Sequence, residues 1–165
     1  MRTRLLKLKN GARLIVRPLR NGDVETISAV FARLGDESRR ARFNGPKPCL
    51  SEHELARLAA VDADHHALVG YLESDPTPVA IARLARDQDG SAEIAFAVGD
   101  ELQHLGIGSA LAAELVCDAR AAGITEITAL VRSDNPRALA LMRRLGRVTR
   151  VRHEGPELSV RTAIA

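Results

Sequence analysis

The chain has 165 residues, enough for one domain with its own core, and its 45% hydrophobic and 27% charged residues are ordinary for a globular protein. Aromatic residues make up only 2%, with no Trp, which argues against a nucleic-acid surface built from stacking aromatics. No apolar run reaches membrane-spanning length and Met1–Arg4 does not begin a signal peptide, so we expect a cytoplasmic protein without a membrane partner.

The formal net charge of +3 is unevenly spread. Residues 1–19 carry six basic and no acidic groups, residues 20–75 carry seven basic and ten acidic, and residues 132–152 carry seven arginines against one aspartate. Basic clusters indicate a polyanionic partner, and a coenzyme phosphate would account for the last cluster as well as a nucleic acid would. Cys49 and Cys117 lie far apart, with no metal spacing to the histidines, so we expect reduced thiols and no metal site.

The N-terminal residues predict a β-hairpin. Residues 5–9 and 12–17 read as two strands, and Asn10–Gly11 between them favours a type I′ turn. Pro18 is expected to end the second strand.

The next segment predicts three helices, at residues 23–34, 37–43 and 51–60. Asp23 is placed to cap the first helix, and Gly35 to end it. A Gly- and Pro-containing loop at 44–48 separates the second helix from the third. Ser51 and Glu54 have the spacing of a capping box at the start of the third helix.

Strand-type runs follow at residues 67–72, 79–85 and 93–98, and the turns between them predict an antiparallel meander. Residues 103–123 predict a glycine-containing loop and a long amphipathic helix, and residues 126–131 predict another strand. A strand–helix–strand unit of this length implies parallel pairing with a right-handed crossover.

The C-terminal part predicts one more helix and a pair of strands. Asn135 and Pro136 begin a helix that ends at Leu145–Gly146. Residues 148–151 and 158–161 are the expected closing strands, joined through Gly155 and Pro156.

The loop that begins the long helix is the most informative stretch. Gly106 and Gly108 let the backbone bend sharply and leave no β-carbon between its N–H groups and a ligand. Free N–H groups at a helix start, with the positive end of the dipole behind them, predict a phosphate or pyrophosphate site. The spacing fits neither a P-loop nor a dinucleotide fingerprint with its third glycine. A glycine turn that binds nothing is the alternative.

The run Gln103-His104-Leu105-Gly106-Ile107-Gly108 resembles the acyl-coenzyme A signature of the GNAT N-acetyltransferase superfamily, Gln/Arg-x-x-Gly-x-Gly/Ala. The superfamily often has a glycine where this chain has His104. The helix that begins at Asn135 resembles its second motif. The resemblance covers essentially the whole chain, as a single GNAT domain at 1–165. It implies an α/β (α+β) fold: a mixed, mostly antiparallel sheet with an N-terminal hairpin, a central parallel strand–helix–strand unit and helices on both faces.

The resemblance also implies acetyl-CoA as the cosubstrate and no metal. The residues that it places against the coenzyme are Phe96, Ala97, Val98, Gln103, His104, Leu105, Gly106, Ile107, Gly108, Ser109, Asn135, Ala138 and Met142. It divides the chain into the hairpin at 1–19, an acceptor side at 20–75 and a coenzyme-binding core at 76–165.

A narrower resemblance concerns the acceptor. Arg17–Pro18, Glu37–Arg39, Arg42–Phe43, Val61–Asp62 and residues 66–69 look like bacterial GNAT domains that acetylate protein lysines. Some of those domains are fused to a cyclic-nucleotide-binding or ligase-like domain, for which this length leaves no room, so we expect none of their regulation. The resemblance makes a protein lysine the favoured acceptor, and the acidic excess of the acceptor side also favours a cationic amine.

Glu93 is the candidate general base. A lysine with a pKa of about 10.4 must lose a proton before it attacks a thioester. In the similar lysine acetyltransferases, a glutamate in this part of the strand is the proposed base. On a strand, Glu93, Ala95 and Ala97 share one face, which leaves a groove for a thin acyl–pantetheine chain. A solvated glutamate on a sheet face is the alternative.

The usual general acid of the superfamily is missing. Many members have a tyrosine on the last helix, where this chain has Met142, which cannot donate a proton. A thiol with a pKa of about 8.5 leaves readily, so water can protonate it. Tyr71 lies on an earlier strand and is more simply a core or rim aromatic. The resemblance assigns the oxyanion to backbone N–H groups near Ala97 and Val98.

Three functions remain open. The favoured one is acetyl transfer from acetyl-CoA to an amine by direct attack, with a protein lysine as the acceptor or, alternatively, a small amine or antibiotic. The second is an acyl-CoA-binding sensor domain without catalysis, which Met142 makes credible. The third is a nucleic-acid-binding module drawing on residues 132–152, which lacks aromatic interleaving and a reading helix, so we expect no nucleic-acid partner. The oligomeric state is left open.

Overall fold

The structure is a computed structural model that describes residues 2–164. The strands in this range are β1 (Arg4–Lys7), β2 (Arg13–Pro18), β3 (His65–Leu72), β4 (Pro78–Arg86), β5 (Ala92–Val98), β6 (Glu126–Arg132), β7 (Arg147–Glu154) and β8 (Glu157–Ala163). The α-helices are α1 (Val24–Ala32), α2 (Asp36–Phe43), α3 (Glu52–Ala59), α4 (Ile107–Ala121) and α5 (Pro136–Leu145), and a 3₁₀ turn covers Asp100–Leu102.

All these strands form one sheet in the order β1-β2-β3-β4-β5-β6-β8-β7. Neighbouring strands are antiparallel except β5 and β6, which are parallel and are connected through α4. The predicted mixed sheet with one parallel strand–helix–strand unit is therefore confirmed.

Helices cover both faces of the sheet, as predicted. Leu111 and Leu115 of α4 and Met142 of α5 pack with Ile94 of β5 in the larger core cluster, on what we call the α4 face. On the opposite face, which we call the α1 face, α1 and α3 pack over β3, β4 and the Ala97 end of β5. Each fully buried aliphatic side chain contributes about 1.5–3 kcal/mol to folding, so α4, which lies at the centre of the larger cluster, is held firmly on the sheet.

The helix starts predicted from the sequence are present. Asp23 Oδ1 accepts a hydrogen bond from the Thr26 N–H at 3.0 Å. Ser51 and Glu54 form the reciprocal capping box, and the Asn135 side chain accepts from the N–H three residues further on. Such caps depend only on residues within one turn, which is why the sequence reveals them.

The N-terminal hairpin turns differently from the prediction. A type I′ turn needs positive φ at both Asn10 and Gly11, but of these two only Gly11 has it, at 87°. The Leu8 N–H donates to the Ala12 carbonyl at 2.8 Å, and the Gly11 N–H donates to the Leu8 carbonyl at 3.0 Å. Lys9 therefore joins the loop, which is a three-residue hairpin closed by a left-handed glycine.

The two closing strands are longer than predicted, covering residues 147–154 and 157–163 instead of 148–151 and 158–161. They pair with each other from Arg147 to Glu154. Because β7 is an edge strand with mostly exposed side chains, no alternation of buried and exposed residues marks its ends.

Asp118 connects the N-terminal hairpin to α4. Its side chain is only 8% exposed and accepts hydrogen bonds from the Arg4 guanidinium and from His66 Nε2, the latter at 3.0 Å. Glu114, one turn earlier, lies 3.0 Å from Arg4 Nη1. The hydrogen bond to Asp118 is the main reason that the pKa of Arg4 is raised. This cluster links β1, β3 and α4, which are far apart in the sequence.

Cys49 and Cys117 are both exposed and neither forms a disulfide within the described residues. No α-helix in the range 2–164 has the length and apolar character needed to span a membrane.

Candidate active site

The loop before α4 presents a row of free backbone donors. None of the six N–H groups from His104 to Ser109 donates to a protein acceptor within residues 2–164. The next N–H, of Ala110, donates to the Gly106 carbonyl at 3.0 Å and starts the helical ladder. Six consecutive donors at the positive end of a helix of 15 residues fit an anionic ligand such as a pyrophosphate.

The backbone of this loop is left-handed at two places, Gly106 with φ of 86° and His104 with φ of 67°. Glycine adopts this conformation without cost, whereas an L side chain pays a steric penalty. The steric penalty at His104 gives a physical reason for the glycine that the GNAT superfamily often has at this position.

Replacing His104 with glycine is expected to raise the free energy of unfolding by about 1 kcal/mol, because the left-handed backbone is then unstrained. Gly106→Ala is the matched opposite change: an added Cβ meets no atom within 4 Å, so only the backbone penalty applies. We expect it to lower the free energy of unfolding by about the same amount. Urea denaturation measures both, and a destabilised His104→Gly variant would contradict this account.

The loop lies close to β5 and is hydrogen-bonded to α2 through a side chain. A Cβ at Gly108 would meet Val98 Cγ2 at 3.4 Å, so the first turn of α4 lies close to the end of β5. The Gln103 side chain donates to Ser38 Oγ at 2.9 Å and to Asp100 Oδ1 at 3.3 Å. Gln103 is thus tied to α2, on the acceptor side.

The parallel strands β5 and β6 separate towards their carboxyl ends. Only Ala92 with Ile127 and Glu93 with Thr128 are paired, although each strand has seven residues. The later residues of β5 therefore have backbone groups on the β6 side that are free to bind a ligand. This gap opens at the same end of the sheet as the start of α4.

Glu93 lies where this gap begins. Its side chain is exposed and forms no ion pair or side-chain hydrogen bond with the described residues. Thr128, its partner in the register, has a buried Oγ1 without a protein hydrogen-bond partner in residues 2–164. A carboxylate free of other partners is able to accept a proton from a nearby amine, directly or through a water molecule.

The structure brings most of the predicted coenzyme residues into one region. Phe96, Val98, Leu105, Ile107, Ala138 and Met142 belong to or pack on the core cluster of the α4 face. Met142 and Ile107 are each 1% exposed, so their side chains belong to that core. Asn135 caps α5. Whether any of these residues contacts a coenzyme stays a prediction.

The groove expected along the Glu93 face does not run its full length. Ala97 is 8% exposed because side chains of α1 pack over it, including Ile27 and Val30. Tyr71 is also buried there, and its hydroxyl accepts from Arg17 Nη2 at 2.5 Å. Because β4 lies between β3 and β5, Tyr71 does not approach the gap between β5 and β6.

Sequence reasoning assigned no role in the site to two arginines on the Glu93 face of the sheet. Arg83 of β4 and Arg42 of α2 line a small pocket on the α1 face. Burial, and then the neighbouring charge of Arg83, lowers the pKa of Arg42 to about 10. Burial also lowers the pKa of Arg83. The available signal was a lone arginine within the apolar run at 79–85.

Comparison with known proteins agrees with this geometry. A family model described as the Acetyltransferase (GNAT) family matches residues 32–146, more than half of the chain. Acetyltransferase Pat of Mycolicibacterium smegmatis is 33% identical over 149 residues, which cover 87% of this chain and 44% of that protein. The chain thus spans less than half the length of this curated relative.

Solved structures give the same result. The GNAT domain of S. lividans PAT matches with a TM-score of 0.87 at 25% identity, covering 98% of this chain and 96% of that one. A cAMP-binding acyltransferase from Mycobacterium smegmatis matches with a TM-score of 0.68 at 28% identity, covering 99% of this chain and 48% of that one. The resemblance predicted from the two motifs is confirmed, and the chain belongs to the GNAT acetyltransferase family.

Proposed function

We propose that this chain transfers the acetyl group of acetyl-CoA to an amine, with a protein lysine as the acceptor and Glu93 as the general base. The observation that carries the proposal is the row of free N–H groups from His104 to Ser109 beside the gap between β5 and β6. Family membership supports the reaction class, since an anion-binding helix start alone does not define one.

The coenzyme has a simple place in this geometry. Its pyrophosphate accepts from the N–H groups of residues 104–109, with Ser109 assisting. Its pantetheine chain enters the gap between β5 and β6 and bonds to the free backbone groups of residues 96–98. Asn135 and Ala138, at the start of α5, border the chain, and Met142 supports them from the core. The thioester carbonyl then lies in the gap beside β5, where Glu93 acts on the acceptor amine through a water molecule.

The reaction needs few groups. Glu93 takes a proton from the acceptor ammonium, and the neutral amine attacks the thioester carbon to form a C–N bond. A backbone N–H near Ala97 or Val98 stabilises the oxyanion of the tetrahedral intermediate. The intermediate collapses with cleavage of the C–S bond, and the amide nitrogen loses its second proton to solvent. The thiolate leaves and takes a proton from water, because Met142 cannot supply one.

The choice of a protein lysine rests on the sequence resemblance to bacterial GNAT domains that acetylate protein lysines, and the similarity to Acetyltransferase Pat and to the GNAT domain of S. lividans PAT supports the acetyltransferase class. It also agrees with the exposed position of Glu93, which a lysine on another protein's surface can reach.

A coupled assay tests the proposal. Purified chain, acetyl-CoA and a panel of amines are combined, and free thiol is measured while mass spectrometry locates any acetyl group. We expect thiol release that depends on lysine-bearing proteins, with acetylation at defined lysines. Thiol release only with small amines would show that the acceptor is a small amine. Coenzyme binding without thiol release for any amine would indicate a sensor domain.

A further inference from the structure

The pocket on the α1 face has an unusual chemical composition. Its walls are apolar side chains from α1, α2, α3 and the strands, yet it also contains Arg42 and Arg83. Its volume is about 30 Å³, roughly twice what one water molecule needs. A group of a few heavy atoms fits, and a whole amino acid does not.

Both arginines lack an anionic partner. Arg83 Nη1 is buried and has no hydrogen-bond acceptor among residues 2–164. No carboxylate oxygen in that range lies within 4.0 Å of a nitrogen of either guanidinium. A buried guanidinium without an acceptor is costly, because the water that it loses is not replaced. The exposed Arg57 of α3 adds a third positive charge that acts on both.

The pocket lies beside the proposed base. Arg83 of β4 pairs with Ala95 of β5. Glu93 lies two residues before Ala95 on β5, so the two residues share a face of the sheet. Glu93 and Asp62 are the carboxylates whose charges act on this pair, Glu93 on Arg42 and Asp62 on Arg83. Neither of them forms a salt bridge with these arginines, and Asp62 is engaged with His65. An anion in the pocket would therefore bind on the same face of the sheet as the carboxylate that receives the acceptor's proton.

We propose that the acceptor carries a carboxylate, which binds Arg42 and Arg83 while its amine lies at Glu93. The inference rests on the proposed acetyl transfer and adds a substrate class to it. For a protein acceptor, the carboxylate is an Asp or Glu side chain near the target lysine. For a small acceptor, it is the compound's own carboxylate. A guanidinium presents paired N–H donors that match a carboxylate, which explains why arginine stands in a pocket otherwise lined with apolar groups.

Binding measured without turnover tests this inference separately from catalysis. Calorimetry with saturating CoA in place of acetyl-CoA compares two pairs of ligands. The first pair is a blocked lysine peptide with Glu on both sides of the lysine and the same peptide with Gln there. The second pair is free lysine and lysinamide. Each pair is measured with wild-type chain, Arg83→Met, Arg42→Met and Arg86→Met.

Arg86→Met is the matched control, because Arg86 is on the same strand but donates to the Ala122 carbonyl on the α4 side. We expect wild type to bind the carboxylate member of one pair about tenfold more tightly, the scale of a hydrogen bond to a charged group. The ratio should fall below about twofold in Arg83→Met or Arg42→Met, and persist in Arg86→Met. A preference in the peptide pair identifies a protein source, and one confined to the lysine pair identifies a small acceptor.

The inference would be overturned if the wild-type chain bound both members of each pair with equal affinity. It would also be overturned if Arg83→Met and Arg42→Met both fold and keep the wild-type ratio of affinities between the carboxylate ligand and its neutral counterpart. No binding of any ligand at millimolar concentration would overturn it too. If the carboxylate preference is found but no acetyl transfer occurs, the proposed function fails, and the two arginines form a carboxylate-binding site that does not serve an acceptor. If acetyl transfer occurs but neither ligand pair shows a preference for the carboxylate member, the proposed function stands and this inference fails.

Discussion

Glu93→Gln is expected to lower kcat by about 10²–10⁴-fold, the usual loss when a general base is removed. The amide keeps the size and the hydrogen-bonding reach of the glutamate but cannot accept the proton of the acceptor ammonium. Because Glu93 is exposed and forms no contact that supports the fold, we expect the thermal stability to stay the same. The affinity for acetyl-CoA should also be unchanged, since the predicted phosphate site lies in another segment.

The control is Glu25→Gln, which changes an exposed glutamate on α1, away from the gap between β5 and β6. Steady-state thiol release and calorimetric titration of acetyl-CoA are measured for both variants. A Glu93→Gln enzyme with wild-type kcat would show that the base is another group or that solvent alone removes the proton.

Asp118→Asn is expected to lower the free energy of unfolding by about 3 kcal/mol, because it removes the buried anion that holds the partly buried Arg4 and His66 side chains. Asp118 is 8% exposed and accepts from both Arg4 and His66. The loss should concern the docking of the hairpin and β3 on α4, so the start of α4 and its N–H groups are unaffected.

Glu114→Gln provides the comparison, since Glu114 also pairs with Arg4 but is 22% exposed. A more exposed ion pair contributes less than about 1 kcal/mol, so this variant should unfold close to wild type. Urea denaturation measures the difference between the two variants. Equal losses would show that the burial of Asp118 does not determine its contribution.

Elements set by neighbouring residues could be predicted from the sequence. The caps at Asp23, Ser51 and Asn135 involve partners within one turn, and each was found in place. The parallel unit followed from the spacing of strand, helix and strand around Gly106. The hairpin turn was predicted incorrectly, because whether Lys9 joins the loop depends on the pairing of both strands.

The candidate site was only partly accessible to sequence reasoning. The loop at 103–109 is a local motif, and its row of free N–H groups follows from its glycines and the helix after it. The burial of Arg83 depends on how α1, α2 and α3 lie over β4, which no local pattern reports. The acidic excess of residues 20–75 pointed to a negative acceptor side, whereas the pocket nearest Glu93 contains two arginines.

An amide NMR titration of the ¹⁵N-labelled chain with acetyl-CoA tests the central claim most directly. We predict one-to-one binding with an affinity in the micromolar range, typical of enzyme substrates. The largest shifts should fall on the N–H groups of residues 104–109 and on those of β5 beyond Glu93, because these are the free donors. The absence of shifts at millimolar acetyl-CoA, or shifts confined to other segments, would contradict the assignment of this loop and the proposed reaction.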